Sequence, residues 1–280
     1  MKKVFLGMSL LAVTMVFSSL AWAGDISDNS INKLMALSGL NKQIAELPAA
    51  IQAGIAQEKQ QNPSLPDAQL REVQRAIEKG FQPSIILNSI RAQLKNDLSE
   101  RDAKYLLAWY ESALGRRITK AEEAASTADS YLEMTNNSQL YLADEDRVWM
   151  AKRLDFLMGA TDKMVQMQMN TSLAVFSSLS TALNPGQPVN IEAFKSQLSS
   201  QKSQIHANTE QFVILSLAYS YKDMDLAGLK QYADFIQHPI GTQFNESVFK
   251  GMDNGFQQGV GEMTKYLEAT HGHTGRGVSP

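Results

Sequence analysis

Apolar residues return every three or four positions through most of this chain. Ile31, Leu34, Met35, Leu37, Ile44, Leu47, Ile51 and Ile55 form one stripe at helical spacing, the pattern of a helix that buries one face and wets the other. Alternating β-branched runs closed by Asn-Gly or Asp-Gly turns are missing from the sequence, so a sheet has no pattern to build on. The spacing predicts an all-α protein of about ten helices. Its clearest interruptions are Asn62-Pro63-Ser64-Leu65-Pro66 and Asn184-Pro185-Gly186-Gln187-Pro188, with a further break at Pro83 after Gly80. Proline causes such breaks because it restricts φ and lacks an amide proton. Helix starts are legible at Ser99, with Asp102 three residues on, and at Asn190 ahead of Glu192.

The chain also resembles itself. Residues 31–39 align with 151–159 at an offset of 120, and residues 107–115 align with 233–241 at an offset of 126. Two matches in the same order at nearly one offset predict two similar tandem helical modules, residues 24–137 and 138–270, each of ordinary domain size. Residues 271–280 are Gly-rich and lack apolar periodicity, which predicts a flexible tail.

The second match carries a corner. It reads Trp109-Tyr110-Glu111-Ser112-Ala113-Leu114-Gly115 in the first copy and Phe235-Ile236-Gln237-His238-Pro239-Ile240-Gly241 in the second. The aromatic pair would end one helix on its buried face, and Ser112 or His238 would cap the next. Pro239 would take the first helical position, where a missing amide costs nothing. Gly115 and Gly241 lack a Cβ and would let two helices cross closely. On these residues the chain resembles bacterial domain-of-unknown-function family 2059, whose pattern is an aromatic pair, a small polar residue, Pro, any residue and Gly. The first copy departs from that pattern at Ala113, and the second at Ile236 and His238. The resemblance implies an exported helical fold and brings no reaction, cofactor or catalytic residue with it. Trp109, Tyr110, Ser112, Gly115, Phe235, Pro239 and Gly241 are therefore expected to be structural.

Residues 1–23 have the layout of a secretory signal peptide: Lys2-Lys3, an apolar run over 4–20, then Ala21-Trp22-Ala23 as a cleavage site. Cleavage would remove Lys2 and Lys3 from the 26 basic residues, leaving 24 against 29 acidic ones, a formal charge of −5. That balance excludes a basic nucleic-acid binder. The absence of Cys excludes a disulfide scaffold, a thiol enzyme and a Cys-anchored lipoprotein. The expected location is the periplasm, with no stable membrane insertion after cleavage. The longest uncharged stretch, 164–191, contains Gln166, Gln168, Asn170 and Thr171, which hydrocarbon would leave unpaired.

Residues with catalytic potential are sparse. His206 has no second ligand at helical spacing, and His271-x-His273 stands alone in the tail, short of what a metal requires. A Gly-x-Ser-x-Gly elbow is absent, and Gly255-x3-Gly259-x-Gly261 has the wrong spacing for a phosphate loop. Glu122-Glu123 and Asp144-Glu145-Asp146 read as a solvated face and a helix start. No catalytic residue, cofactor or metal site is expected. Met158, Met164, Met167 and Met169 read as core filling, ahead of an apolar groove and, behind both, copper(I). The uncharged stretches 164–183 and 211–221 read as a packed core or as the walls of an apolar pocket. Arg116, Arg117 and Lys120 follow the first corner, where the second copy has Thr242 and Gln243, and form the expected partner-binding patch. These readings predict a non-catalytic periplasmic accessory protein that binds another cell-envelope protein. The alternative is a carrier of an apolar small molecule or lipid.

Overall fold

Side-chain caps open many of the helices. The structure, a computed structural model, describes residues 24–61, 67–183 and 189–271. The expected signal peptide, both proline loops and residues 272–280 of the expected tail lie outside the described residues. Ser27 caps α1 (Asp28–Leu37) by accepting from the Ser30 amide, and α2 (Leu40–Gln61) and α3 (Asp67–Gly80) follow. Helix α4 (Pro83–Asp97) begins on Pro83, where the missing amide is harmless. Ser99 and Asp102 close a reciprocal capping box on α5 (Glu100–Tyr110). Ser112 caps α6 (Ala113–Ala125), and Thr127 caps α7 (Ala128–Asn136).

A short α8 (Ser138–Leu142) precedes α9 (Glu145–Met158), which Asp144 caps. The long pair α10 (Ala160–Leu183) and α11 (Ile191–Ser220) comes next, with Asn190 capping α11. Asp225 caps α12 (Leu226–Gln237), and α13 (Pro239–His271) completes the order. The described residues are thus all-α, with a lone bridge between Asp25 and Ser99 as their only extended pairing. The stripe over residues 31–55, which periodicity reads as continuous, is broken between α1 and α2 at Gly39, whose φ is 77°. Gly159 between α9 and α10 has a φ of 60°. Left-handed backbone of this kind ends helices and favours glycine.

One apolar cluster draws on both ends of the chain. It joins Ile31 and Leu34 of α1, Ile86 and Ile90 of α4 and Leu106 of α5 to Met150 and Leu154 of α9 and Ile236 of α12. Helix α1 packs on α5 and α9 on α12, whereas α13 lies along α4 and α6 packs on α11. A smaller cluster joins Ala76 and Phe81 to Val260, Met263 and Leu267 at the far end of α13.

Glycine sets the contacts of α13 with α4 and with the end of α3. A Cβ on Gly251 would lie 2.6 Å from the Ile90 Cα, and one on Gly255 would lie 2.9 Å from the Ile86 Cα. A Cβ on Gly259 would meet the Gly80 carbonyl oxygen at 2.7 Å, and one on Gly80 would meet the Gly259 oxygen at 2.4 Å. Four-residue spacing puts the three α13 glycines on one face. Alanine normally stabilises a helix by roughly 0.5–1 kcal/mol over glycine. Gly261→Ala, with nothing within 4 Å of its Cβ, should keep that gain. Gly251→Ala should instead lose about 1–3 kcal/mol, because the obstructing atoms are backbone. Urea unfolding of the two variants checks this opposition in sign.

Candidate functional site

The two corners meet through their aromatic rings. The Ser112 hydroxyl accepts the Gly115 amide at 2.9 Å, and Nδ1 of His238 accepts the Ile240 amide at 3.2 Å. Pro239 heads α13 as its first residue. A Cβ on Gly115 would stand 2.1 Å from the Trp109 carbonyl oxygen, and one on Gly241 would stand 2.1 Å from that of Phe235. Each corner glycine therefore serves the close fold of its own corner. Trp109 and Phe235 hold the same place in the two motifs and stack on each other, with ring centroids 4.4 Å apart and planes 6° from parallel. Tyr110 meets Phe235 edge-on at 5.8 Å, and Tyr105 stacks on His238 at 4.2 Å. An open groove of about 540 Å³ borders this row, lined by Tyr105, Trp109, Ser112, Gln231 and Asp234 among others. The Trp109 Nε1 is buried and has no acceptor.

No protein-family model, curated protein or solved structure matches the chain. Its chemistry is read from its own geometry.

Glu122 on α6 departs from the expected solvated pair. Its Oε1 accepts from the Tyr221 hydroxyl at 2.6 Å and from the Tyr232 hydroxyl at 2.8 Å. Loss of solvent pushes its pKa above the usual carboxylate value, while hydrogen bonds from Tyr221, Tyr232 and Gln43 pull the other way. Glu123 turns to Lys42 instead, 3.1 Å away. Burial holds the hydroxyls of Tyr110, Tyr221 and Tyr232 well above the ordinary tyrosine pKa, and the Glu122 charge adds to the effect. All three are neutral at physiological pH, and Tyr221 and Tyr232 serve Glu122 as donors. The two carboxylates were adjacent in sequence, so only long-range packing separates their environments.

The expected basic patch divides. Arg117 and Lys120 line a cleft of about 570 Å³ together with Ser130, Glu133, Tyr219 and Lys222. Arg116 does not line it, and its guanidinium donates to the Glu111 carbonyl at the end of α5. Arg117 faces Asp225 at 3.4 Å, the carboxylate that also caps α12. Lys222 lies 3.1 Å from Glu133 and 4.0 Å from the Tyr219 ring centroid. Tyr141, Tyr219 and Lys222 all donate to Glu133 and lower its pKa to about 2. Lys222 was missed because it lies about a hundred residues from the patch, although it directly follows the uncharged 211–221 stretch.

The uncharged stretches have separate fates. Val213, Ile214, Leu215, Ala218 and Tyr219 of α11 are buried. The α10 stretch is mostly half-exposed, and its Met164, Met167 and Thr171 line a groove of about 430 Å³ with Phe212 of α11 and Phe256 of α13. The Thr171 hydroxyl there is buried without a partner. Met158 packs against the main core instead. His206 lies 3.2 Å from Asp162 on the surface.

The Glu122 environment predicts a pH dependence. A raised folded pKa gives a stability contribution that is full below the unfolded value, near 4.5, and lost as pH rises through the folded one. Glu133 acts in the opposite sense: its contribution is full above 4.5 and lost toward about 2. Glu122→Gln keeps an acceptor and cannot ionise. The melting temperature of E122Q relative to the parent should therefore climb as pH rises from 4.5, and thermal melts at a series of pH values measure it.

Proposed function

We propose that this chain is a non-catalytic binding protein of the bacterial periplasm that docks an acidic surface of another envelope protein beside its first corner. The observation that carries this reading is the convergence of Arg117 and Lys120 with Lys222, distant in sequence, on one cleft. Opposed charge accelerates and orients encounter with an acidic surface, and salt weakens the effect. The signal-like residues 1–23 and the likeness of the corners to family 2059 support export. We also propose that the chain holds two copies of one module. In its favour are the left-handed Gly39 and Gly159 at an offset of 120, the caps Ser99 and Asp225 at 126, and the glycines Gly115 and Gly241 at the same offset. The stacking of equivalent rings Trp109 and Phe235 fits a local two-fold relation between the copies.

The double change Arg117→Gln and Lys120→Gln tests the docking reading. Exposed charges contribute little to stability, within about 0.5 kcal/mol, so the melting temperature should hold. Capture of the partner by crosslinking in cells and in extracts should fall, most strongly at low ionic strength. Undiminished capture at every salt concentration would refute the cleft. A second reading, a carrier of an apolar small molecule, is favoured by the groove between Met164, Met167, Phe212 and Phe256. Native mass spectrometry separates the two: a carrier retains a bound small molecule, and a docking protein arrives empty.

A further inference from the structure

The outward face of α9 carries the most exposed aromatic ring among the described residues. Phe156 is 82% exposed and Trp149 58%, seven positions apart and so on one side of the helix. Lys152 and Arg153 are exposed between them, and the Arg153 guanidinium lies 5.9 Å from the Trp149 ring centroid. Neither cation meets a carboxylate among the described residues. Asp155, the acid nearest to Phe156, is turned inward, accepting from the amide and the hydroxyl of Thr161 at 2.8 Å each. Asp144 is spent on the Arg147 amide, while Glu145 and Asp146 stand exposed one turn ahead of Trp149. The aligned positions of α1 hold Asn29, Asn32, Lys33 and Ala36, and Lys33 there is paired with Glu111. The aromatic and unpaired basic character therefore belongs to α9 alone.

We propose that this face of α9 seats reversibly on an anionic lipid bilayer, with Trp149 and Phe156 in the headgroup region and Lys152 and Arg153 on lipid phosphates. Aromatic rings interleaved with cations are the composition of interfacial anchors. Two rings offer at most about 150–250 Å² each, short of the roughly 800 Å² per partner that a stable protein interface buries. A bilayer needs no such area and deforms around projecting rings. No helix of the described residues is long and apolar enough to cross the membrane, so the contact is peripheral. It lies on a different element from the cleft on α6 and does not depend on it.

Sedimentation with vesicles tests the proposal. The protein should bind phosphatidylcholine vesicles that contain phosphatidylglycerol, bind pure phosphatidylcholine weakly, and release as salt rises. Phe156→Ala should weaken binding about tenfold, and Lys152→Gln about fivefold. Both positions are exposed, so the variants should melt with the parent. Tryptophan fluorescence should shift to the blue on binding, and Trp149→Phe should abolish the shift. Absent binding, equal binding to both vesicles, or binding untouched by Phe156→Ala would overturn the assignment. So would a photo-crosslinking residue at position 156 that forms protein adducts in cells and no lipid adducts.

Discussion

Helix α13 can reach α4 only because Gly251 and Gly255 leave its backbone bare on one side, and Gly259 does the same against Gly80 at the end of α3. At that distance the packing atoms are main chain, and dispersion acts over a long stretch of two helices. The consequence runs well beyond the pair. Helix α13 belongs to the second corner and α4 precedes the first, so their contact ties the second half of the chain to the first. Just before α13 begins, Phe235 stacks on Trp109, and an open groove borders the pair.

Electrostatics at that junction depends on hydroxyls more than on ion pairs. Glu122 and Glu133 both bind tyrosines of the second half, and their pKa values move in opposite directions. Glu122 is governed by lost solvent, whereas Glu133 sits at the surface with Lys222 beside it. The same chemical pair therefore yields one carboxyl biased toward its proton and another held firmly ionised. Glu133 lines the cleft with Arg117 and Lys120, which is built from α6, α7, the end of α11 and the residues that follow it.

Helical spacing made the all-α architecture legible, and short polar residues marked the caps at Ser99, Ser112 and Asn190. These are local signals, carried by neighbours in the chain. Glu122 gave no such signal, since its donors lie at Tyr221 and Tyr232. The glycines at 251, 255 and 259 were visible as a four-residue period. That spacing suits no phosphate loop, and on a helix it leaves one face bare. For Trp149 and Phe156, periodicity alone cannot say which side of α9 is covered, because Met150 and Leu154 form an equally regular stripe that is buried. Arg116, Arg117 and Lys120 all lie on α6, but the turn of the corner sends Arg116 to the Glu111 carbonyl and away from the cleft that the other two line.

Helix α11 is 30 residues long, about 45 Å at the usual rise. None of its residues before Val213 is buried, while the final turns are anchored in two apolar clusters. A single hydrogen-bonded rod thus joins two regions of different local stability. Its leading turns can open while the rest of the molecule stays folded, whereas amides near Leu215 and Ala218 exchange only with deeper unfolding. The groove wall at Asn208, Thr209 and Phe212 sits at the boundary between these regimes. An occupant there would therefore be held by a wall that opens with the soft end of α11 and is anchored by its rigid end.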